Sequence, residues 1–550
     1  MRIYVGQLNP IVGDLEGNTD KVLETMEKAR AEKADLVVFP EMTLCGYMPE
    51  DLVLHGSFIR AMEDELDRVV RASKGLSVIC GVIRQNPFHE EKNLLNSAAI
   101  IEDGQLMGFH NKWLLPTYDV FDERRYFARG KVLRAWHIAG VKVGVLICED
   151  MWQNAGESIS GTTYPWDPVK ALAIYKPQIV VNLTASPFQA KKKDVRVEVC
   201  KAAVRTLNCP VLYVCQVGAN GPIVFDGYSL YVDVKEELRF VAAGFREDFF
   251  LLDTEKEPPA VRFENDPIDE MISAIVLGIR DYFDKSGQER ALIGISGGLD
   301  SALVAAFAAM ALGKDRVMGL YMPTRYSTEQ GKIDAEALAI NLGIRFEIVP
   351  IDDTLTHMIE LLQTQFSTVP DGIVEENLQA RIRGMVLMAF ANQYASLVLS
   401  TGNKSEFAMG YCTLYGDMVG AISPIGDVLK TDCYELARRL NRDKEIIPDS
   451  ILEKPPSAEL RHHQLDTDTL PPYSVIDPII RGYVEEVLPI DEIARKSGLD
   501  LKVVLATVQR IYKAEHKRRQ APVALRISKK AFAIGHRMPL HYSGYEEKLY

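Results

Sequence analysis

Apolar and polar positions follow two different rhythms along this chain. In the first half, apolar, β-branched runs occur at residues 35–40, 76–83, 141–148, 179–183 and 211–217, which predicts strands. Residues 18–33 and 194–207 carry apolar positions at the helical period. Tight turns such as Glu102-Asp103-Gly104 set several strands close together in sequence, so the pattern implies a mixed, layered α/β domain. The second half repeats strand and helix in strict alternation. Helices are predicted at 268–285, 302–312 and 329–342, and strands at 291–295, 317–321 and 345–350, the pattern of a parallel sheet. Past Pro448 the chain reads as irregular, and a last helix is expected over 491–517 before a basic tail.

Between the halves, residues 254–267 are charged, contain proline and carry neither period. We therefore expect a domain over 1–253, a linker over 254–266 and a second domain over 267–550. With 550 residues, both domains can bury a core.

Composition narrows the partners. The chain is 47% hydrophobic and 25% charged, with a formal net charge of -13. That acidity argues against nucleic-acid or membrane-surface binding. No apolar run reaches the roughly 20 residues of a membrane span, and the start MRIYVGQLNP lacks the build of a signal peptide. The 8 cysteines form no paired zinc-type spacing and no dense disulfide framework. A cytoplasmic protein is expected.

Two clusters carry chemistry. Residues 295–301 read I-S-G-G-L-D-S between a predicted strand and helix. Gly297 and Gly298 let the backbone turn tightly, and the helix start presents N–H groups and a positive dipole end to an anion. Ser296 and Ser301 add hydroxyls, and Asp300 is a hard oxygen ligand suited to Mg²⁺ on a phosphate. Glu406, in S-T-G-N-K-S-E, could complete such a site. The stretch from Glu376 to Arg383, with Asn377 and Arg381, carries donors suited to ribose and phosphate, or is a solvated helix face. In the first half, Glu41 follows Phe-Pro at a strand end, Lys112 lies in H-N-K-W-L-L-P, and Cys148 lies in L-I-C-E-D-M-W. A thiolate can attack an amide, a carboxylate can move its proton, and an ammonium can hold an oxyanion. Singly, each of the three also fits a buried filler, a turn cap or a surface group.

The loop I-S-G-G-L-D-S resembles the pyrophosphate-binding loop of the ATP pyrophosphatase superfamily, and the Glu41, Lys112 and Cys148 contexts resemble the nitrilase superfamily. Fused in this order, with K-W-L-L-P-T-Y, V-F-D-E-R and E-M-T-L-C-G-Y, they resemble the glutamine-dependent NAD synthetases. Glutaminases of GMP and asparagine synthetases use other triads or an N-terminal Cys, and residue 2 here is Arg2.

The resemblance implies an α-β-β-α sandwich followed by a Rossmann-like ATP pyrophosphatase domain. It implies Glu41 as base, Lys112 as oxyanion partner and Cys148 as nucleophile, with Tyr47, Tyr118, Glu123 and Ser186 at the glutamine. Ser296, Gly297, Gly298, Asp300, Ser301, Thr401, Lys430 and Ser457 would hold ATP, Asp300 and Glu406 the Mg²⁺. Asn377, Arg381, Asp417, His516 and Lys517 would hold deamido-NAD. A homo-oligomer and a protected passage for ammonia are further expectations. The alternative is a glutamine-dependent amidotransferase of the same kind acting on another carboxylate or carbonyl. Cys45 and Met48 stand where Thr and Pro are expected, and residues 156–168 form an unusually long stretch, either a lid or a surface insertion.

Overall fold

Strands of the first half assemble into two six-stranded sheets in the computed structural model, which describes residues 1–88, 91–156, 161–264, 266–366 and 368–541. The chain divides into two units, residues 1–265 and 266–550.

In the first unit, one sheet runs Asp248–Asp253, Arg2–Gln7, Leu36–Val38, Ser77–Gln85, Leu94–Glu102, Gln105–Asn111. Its three central strands are parallel and its outer pairings antiparallel. The other runs Leu238–Val241, Leu230–Val232, Val211–Cys215, Ile179–Thr184, Val141–Ile147, Ala135–Ile138. Alternation along the strands explains the layering. Val143, Val145 and Ile147 pack with Ile3, Val5, Leu36 and Val38 in a core between the sheets. Leu146 and Val180 face the opposite way, under the helix Lys192–Leu207. Tyr4 and Val37 do the same under Leu15–Ala31 and Gly56–Ala72. Both faces of both sheets are covered, so the strands read as near-continuous apolar runs. This is the α-β-β-α sandwich. The strand expected over 211–217 is two, because Val217–Asn220 leaves the sheet to pair with Ile223–Asp226.

The second unit holds one parallel sheet, ordered Arg345–Ile348, Val317–Tyr321, Arg290–Gly294, Ser396–Leu399, Ile422–Ser423, Val523–Ala524. Strand order reverses beside Arg290–Gly294, and a crevice opens at the carboxyl ends of strands at such a switch point. Two expectations need correction. Residues 491–517 are not one helix but three, Ile490–Ser497, Leu501–Lys513 and Glu515–Arg518. Gly498 ends the first at φ 69°, and the Asp500 carboxylate caps the second by accepting from Lys502 N at 2.7 Å. The stretch after Pro448 is not irregular throughout, since Tyr473–Ile480 is a helix, packed through Ile476 and Ile480 on Ala408 and Met409.

Candidate active sites

Three strand ends meet at one buried point in the first unit. Glu41 follows Leu36–Val38, Lys112 follows Gln105–Asn111, and Cys148 follows Val141–Ile147. The Lys112 Nζ donates to Glu41 Oε1 at 2.8 Å and to Glu123 Oε1 at 2.7 Å. Glu41 also accepts from Asn96 Nδ2 at 2.6 Å and from Ala185 N at 3.1 Å, which fixes both its oxygens. The Tyr47 hydroxyl donates to Glu123 at 2.8 Å. Glu41, Lys112 and Tyr47 are each 1% exposed. Cys148 stands at φ 45°, a left-handed conformation that costs a non-glycine residue and lifts it off the strand line at the start of a short 3₁₀ turn.

Electrostatics follow from that burial. Desolvation pulls the Lys112 ammonium down, but Glu123, Glu41 and Cys148 more than offset it and hold the lysine well above its usual value. Burial pushes the Glu123 carboxyl up to about 7, against the pull of Lys112. Burial and then Glu41 raise the Cys148 thiol, while Lys112 lowers it, so the resting group is a thiol that needs a base.

Beside the cysteine, the Tyr118 hydroxyl donates to Glu149 at 2.9 Å and the Tyr164 hydroxyl at 3.0 Å. Burial raises the Glu149 carboxyl. Tyr164 belongs to the long stretch 156–168, of which residues 157–160 lie outside the described residues; Tyr164 is 8% exposed and its N donates to Gln153 Oε1 at 3.0 Å. The Ser186 hydroxyl accepts from the buried Arg196 at 3.3 Å. The Asp150 carboxylate accepts from Ile147 N at 3.1 Å in the turn that carries Cys148, so Asn96, Glu149, Asp150 and Tyr164 join the site without having been singled out from sequence. Glu149 and Asp150 stand next to Cys148 in the chain, and that adjacency was the available signal.

In the second unit, a cavity of about 390 Å³ opens at the carboxyl ends of the central strands. Ser296, Gly298, Asp300, Ser301, Thr401, Glu406, Lys430 and Ser457 line it, as do Asn377, Asp417 and Lys517. Arg381 and His516 do not: Arg381 donates to Leu414 O at 3.2 Å and the His516 ring lies 2.9 Å from Lys513 O, both side chains exposed. Gly297, within the loop, stands at φ 77°, where a Cβ would lie 2.2 Å from Gly331 O. Leu299, Asp300 and Ser301, the first three residues of the helix Leu299–Leu312, line the cavity, so it opens at the positive end of that helix.

Asp300 pairs with Lys430 and accepts from Asn403 Nδ2 at 3.1 Å. Lys430 also lies 3.8 Å from Glu406, so one cation already sits between these two carboxylates. Burial, then Asp300, raise the Glu406 carboxyl well above its usual value, as expected of acids brought together. Among the described residues no group of three His, Cys, Asp or Glu converges. The pair suits Mg²⁺, which is commonly held by one or two carboxylates plus phosphate oxygens. Burial lifts Asp417 to about 6, although its Oδ1 accepts from Thr413 N at 2.6 Å. Thr413 donates to Asn377 at 2.7 Å, and the Lys517 ammonium is anchored on Gly410 O and Cys412 O at 2.8 and 2.7 Å.

Residues 2–156 match the carbon-nitrogen hydrolase family and residues 271–521 the NAD synthase family. The chain is 42% identical to a glutamine-dependent NAD(+) synthetase of Synechocystis and 40% identical to one of Thermotoga maritima, with 98% of each chain covered in both cases. It belongs to the glutamine-dependent NAD(+) synthetases. A solved synthetase of this family, from Acinetobacter baumannii in complex with ADP, is 34% identical over 98% of both chains at a TM-score of 0.77. Another, from Cytophaga hutchinsonii, shares the fold at a TM-score of 0.85 and 20% identity, with 100% of this chain and 99% of that one covered. The two halves of a glutamine-dependent NAD(+) synthetase thus coincide with the two clusters of polar groups, the Cys148 cluster in one and the strand-end cavity in the other.

Proposed function

We propose that the chain amidates deamido-NAD to NAD at the expense of ATP, with ammonia from glutamine. The observation that carries this reading is the fusion of a buried Glu41-Lys112-Cys148 cluster to a glycine-loop cavity, in a full-length relative of NAD synthetases. The glutaminase work falls to residues 1–253 and the synthetase work to 267–550, joined by 254–266.

Cys148 Sγ attacks the glutamine side-chain carbonyl as Glu41 takes the thiol proton. Lys112 stabilises the oxyanion. Glu41 returns the proton to the departing ammonia, and water activated by the same carboxylate then cleaves the thioester to glutamate. Glu149, held by Tyr118 and Tyr164, offers a buried negative charge to the substrate α-ammonium, and Tyr47, Glu123 and Ser186 complete the glutamine site. Tyr164, from the long stretch, acts here as part of the wall of the site.

In the second unit the nicotinate carboxylate attacks the α-phosphorus of ATP and pyrophosphate leaves against the Ser296–Ser301 loop and Lys430. Gly297 shapes the loop, and Thr401 and Ser457 line the nucleotide end. Asp300 and Glu406 would hold Mg²⁺, which neutralises polyphosphate charge. Ammonia displaces AMP from the acyl adenylate to give NAD. Asn377 and Asp417, which line the cavity, bind the dinucleotide and Lys517 closes over it, while Arg381 and His516, whose side chains lie outside the cavity, are left out of this reading. The protein acts as a cytoplasmic homo-oligomer without nucleic-acid or membrane partners; among the described residues no helix is long and apolar enough to cross a membrane.

The test is NAD formation from deamido-NAD, ATP and Mg²⁺ with glutamine or with ammonium, in wild type and Cys148→Ala. Loss of the glutamine reaction alone is expected. Absence of NAD with both donors in the wild type would overturn the substrate assignment in favour of another carboxylate.

A further inference from the structure

Asp150 is fully buried, two residues after Cys148, and each of its oxygens is committed to a different part of the glutaminase site. Oδ2 accepts from Ile147 N at 3.1 Å, which closes the turn that carries the cysteine. A turn-capping aspartate needs no more than that. Its Oδ1, however, accepts from Trp113 N at 3.0 Å and Leu114 N at 2.8 Å, the two residues directly after Lys112. From the other side, His110 Nε2 lies 3.8 Å from Asp150 Oδ2, with both side chains buried. Lys112 is thus bracketed, at residues 110 and 113–114, by one carboxylate rooted in the cysteine turn.

We propose that Asp150 is a positioning residue that sets the Lys112 ammonium against the Cys148 sulfur, acting through backbone N–H groups and not on substrate. The inference rests on the reading of Cys148 and Lys112 as nucleophile and oxyanion partner. A carboxylate receiving three backbone N–H bonds in a dry interior is held by charge-assisted bonds. Asparagine in its place would keep the shape but turn an NH₂ group toward one of those donors. The linked segments then separate, and a displacement on the order of 1 Å costs about 10²-fold in turnover.

The experiment compares wild type, Asp150→Asn and Cys148→Ala in three measurements: glutamate release, ammonium-dependent NAD formation, and the pH dependence of Cys148 alkylation by iodoacetamide. For Asp150→Asn we expect glutaminase kcat to fall by about 10²-fold with little change in the KM for glutamine. The alkylation profile should move to higher pH as the ammonium leaves the sulfur, and the ammonium reaction should persist. Wild-type kcat and an unmoved profile would overturn the inference while Cys148→Ala remains inactive with glutamine. Glutamate release by Cys148→Ala would instead overturn the underlying reading. Should Asp150→Asn lose the ammonium reaction too, Asp150→Ser, smaller and still an acceptor, is measured in the same way. Loss of both reactions there makes Asp150 a general fold support and overturns the positioning role.

Discussion

Replacing Lys112 by methionine probes the balance of charge in the glutaminase site. The side chains are similar in length, so the change removes a charge without opening a large cavity. What remains are Glu41 and Glu123, at 1% and 3% exposure, which lose donors at 2.8 and 2.7 Å. Removing one partner of a buried ion pair costs about 3–5 kcal/mol, because the other charge is left uncompensated. For a unit of this size that is a fall in melting temperature on the order of 10 °C. The cost must depend on pH. Glu123 sits at about 7 even with Lys112 beside it. A carboxyl raised in the folded state favours the fold below its folded value and costs stability as pH rises through it. Without the lysine that value climbs further, so Lys112→Met should be closer to wild type at pH 6 than at pH 8. Adding Glu123→Gln should restore much of the stability at pH 8 and none of the glutaminase activity. The assay is thermal melting at both pH values, alongside glutamine- and ammonium-dependent NAD formation. Equal destabilisation at pH 6 and 8, or a double variant no more stable than the single one, would refute the reasoning.

Two further outcomes are expected. Gly297→Ala should abolish NAD formation with either donor while sparing glutamate release, since a Cβ at φ 77° meets Gly331 O at 2.2 Å and the phosphate loop must shift; normal ATP turnover in this variant would count against the loop's role. Asp417, lifted to about 6, should make the KM for deamido-NAD rise as pH falls below 6 and the carboxylate takes a proton, and Asp417→Asn should remove that inflection; an unchanged pH profile in the variant would remove Asp417 from the site.

The legible parts of this protein were those in which one short segment carries both fold and chemistry. The run 141–147 ends in Cys148, and S-G-G-L-D-S names its own strand, turn and helix. Contacts between distant segments were not legible. Asn96 lies within the strand Leu94–Glu102, between Leu95 and Ser97, and reaches Glu41 only because that strand passes beside it. Tyr164 comes back to Glu149 from a stretch with no period of its own. Arg381 has the right residue type on the right helix, yet its side chain turns to Leu414 O, away from the cavity wall that Asn377, four residues earlier, lines. The break at Gly498 was visible as a glycine two residues before a capping aspartate, but the apolar rhythm on either side masked it.

Sheet order also dictates when each half can start work during translation. Arg2–Gln7 is flanked in its sheet by Asp248–Asp253, and Val523–Ala524 closes the parallel sheet behind Ile422–Ser423. The ribosome must therefore deliver residue 253 before the first sandwich has its full complement of strands, and residue 524 before the second sheet does. Neither sheet is complete while much of its unit is still unmade, a slow, non-local closure. A nascent chain stalled between those two points would carry a complete first sandwich and an unfinished second sheet, so the glutaminase half is made ready before the synthetase half simply by the order in which the strands are made.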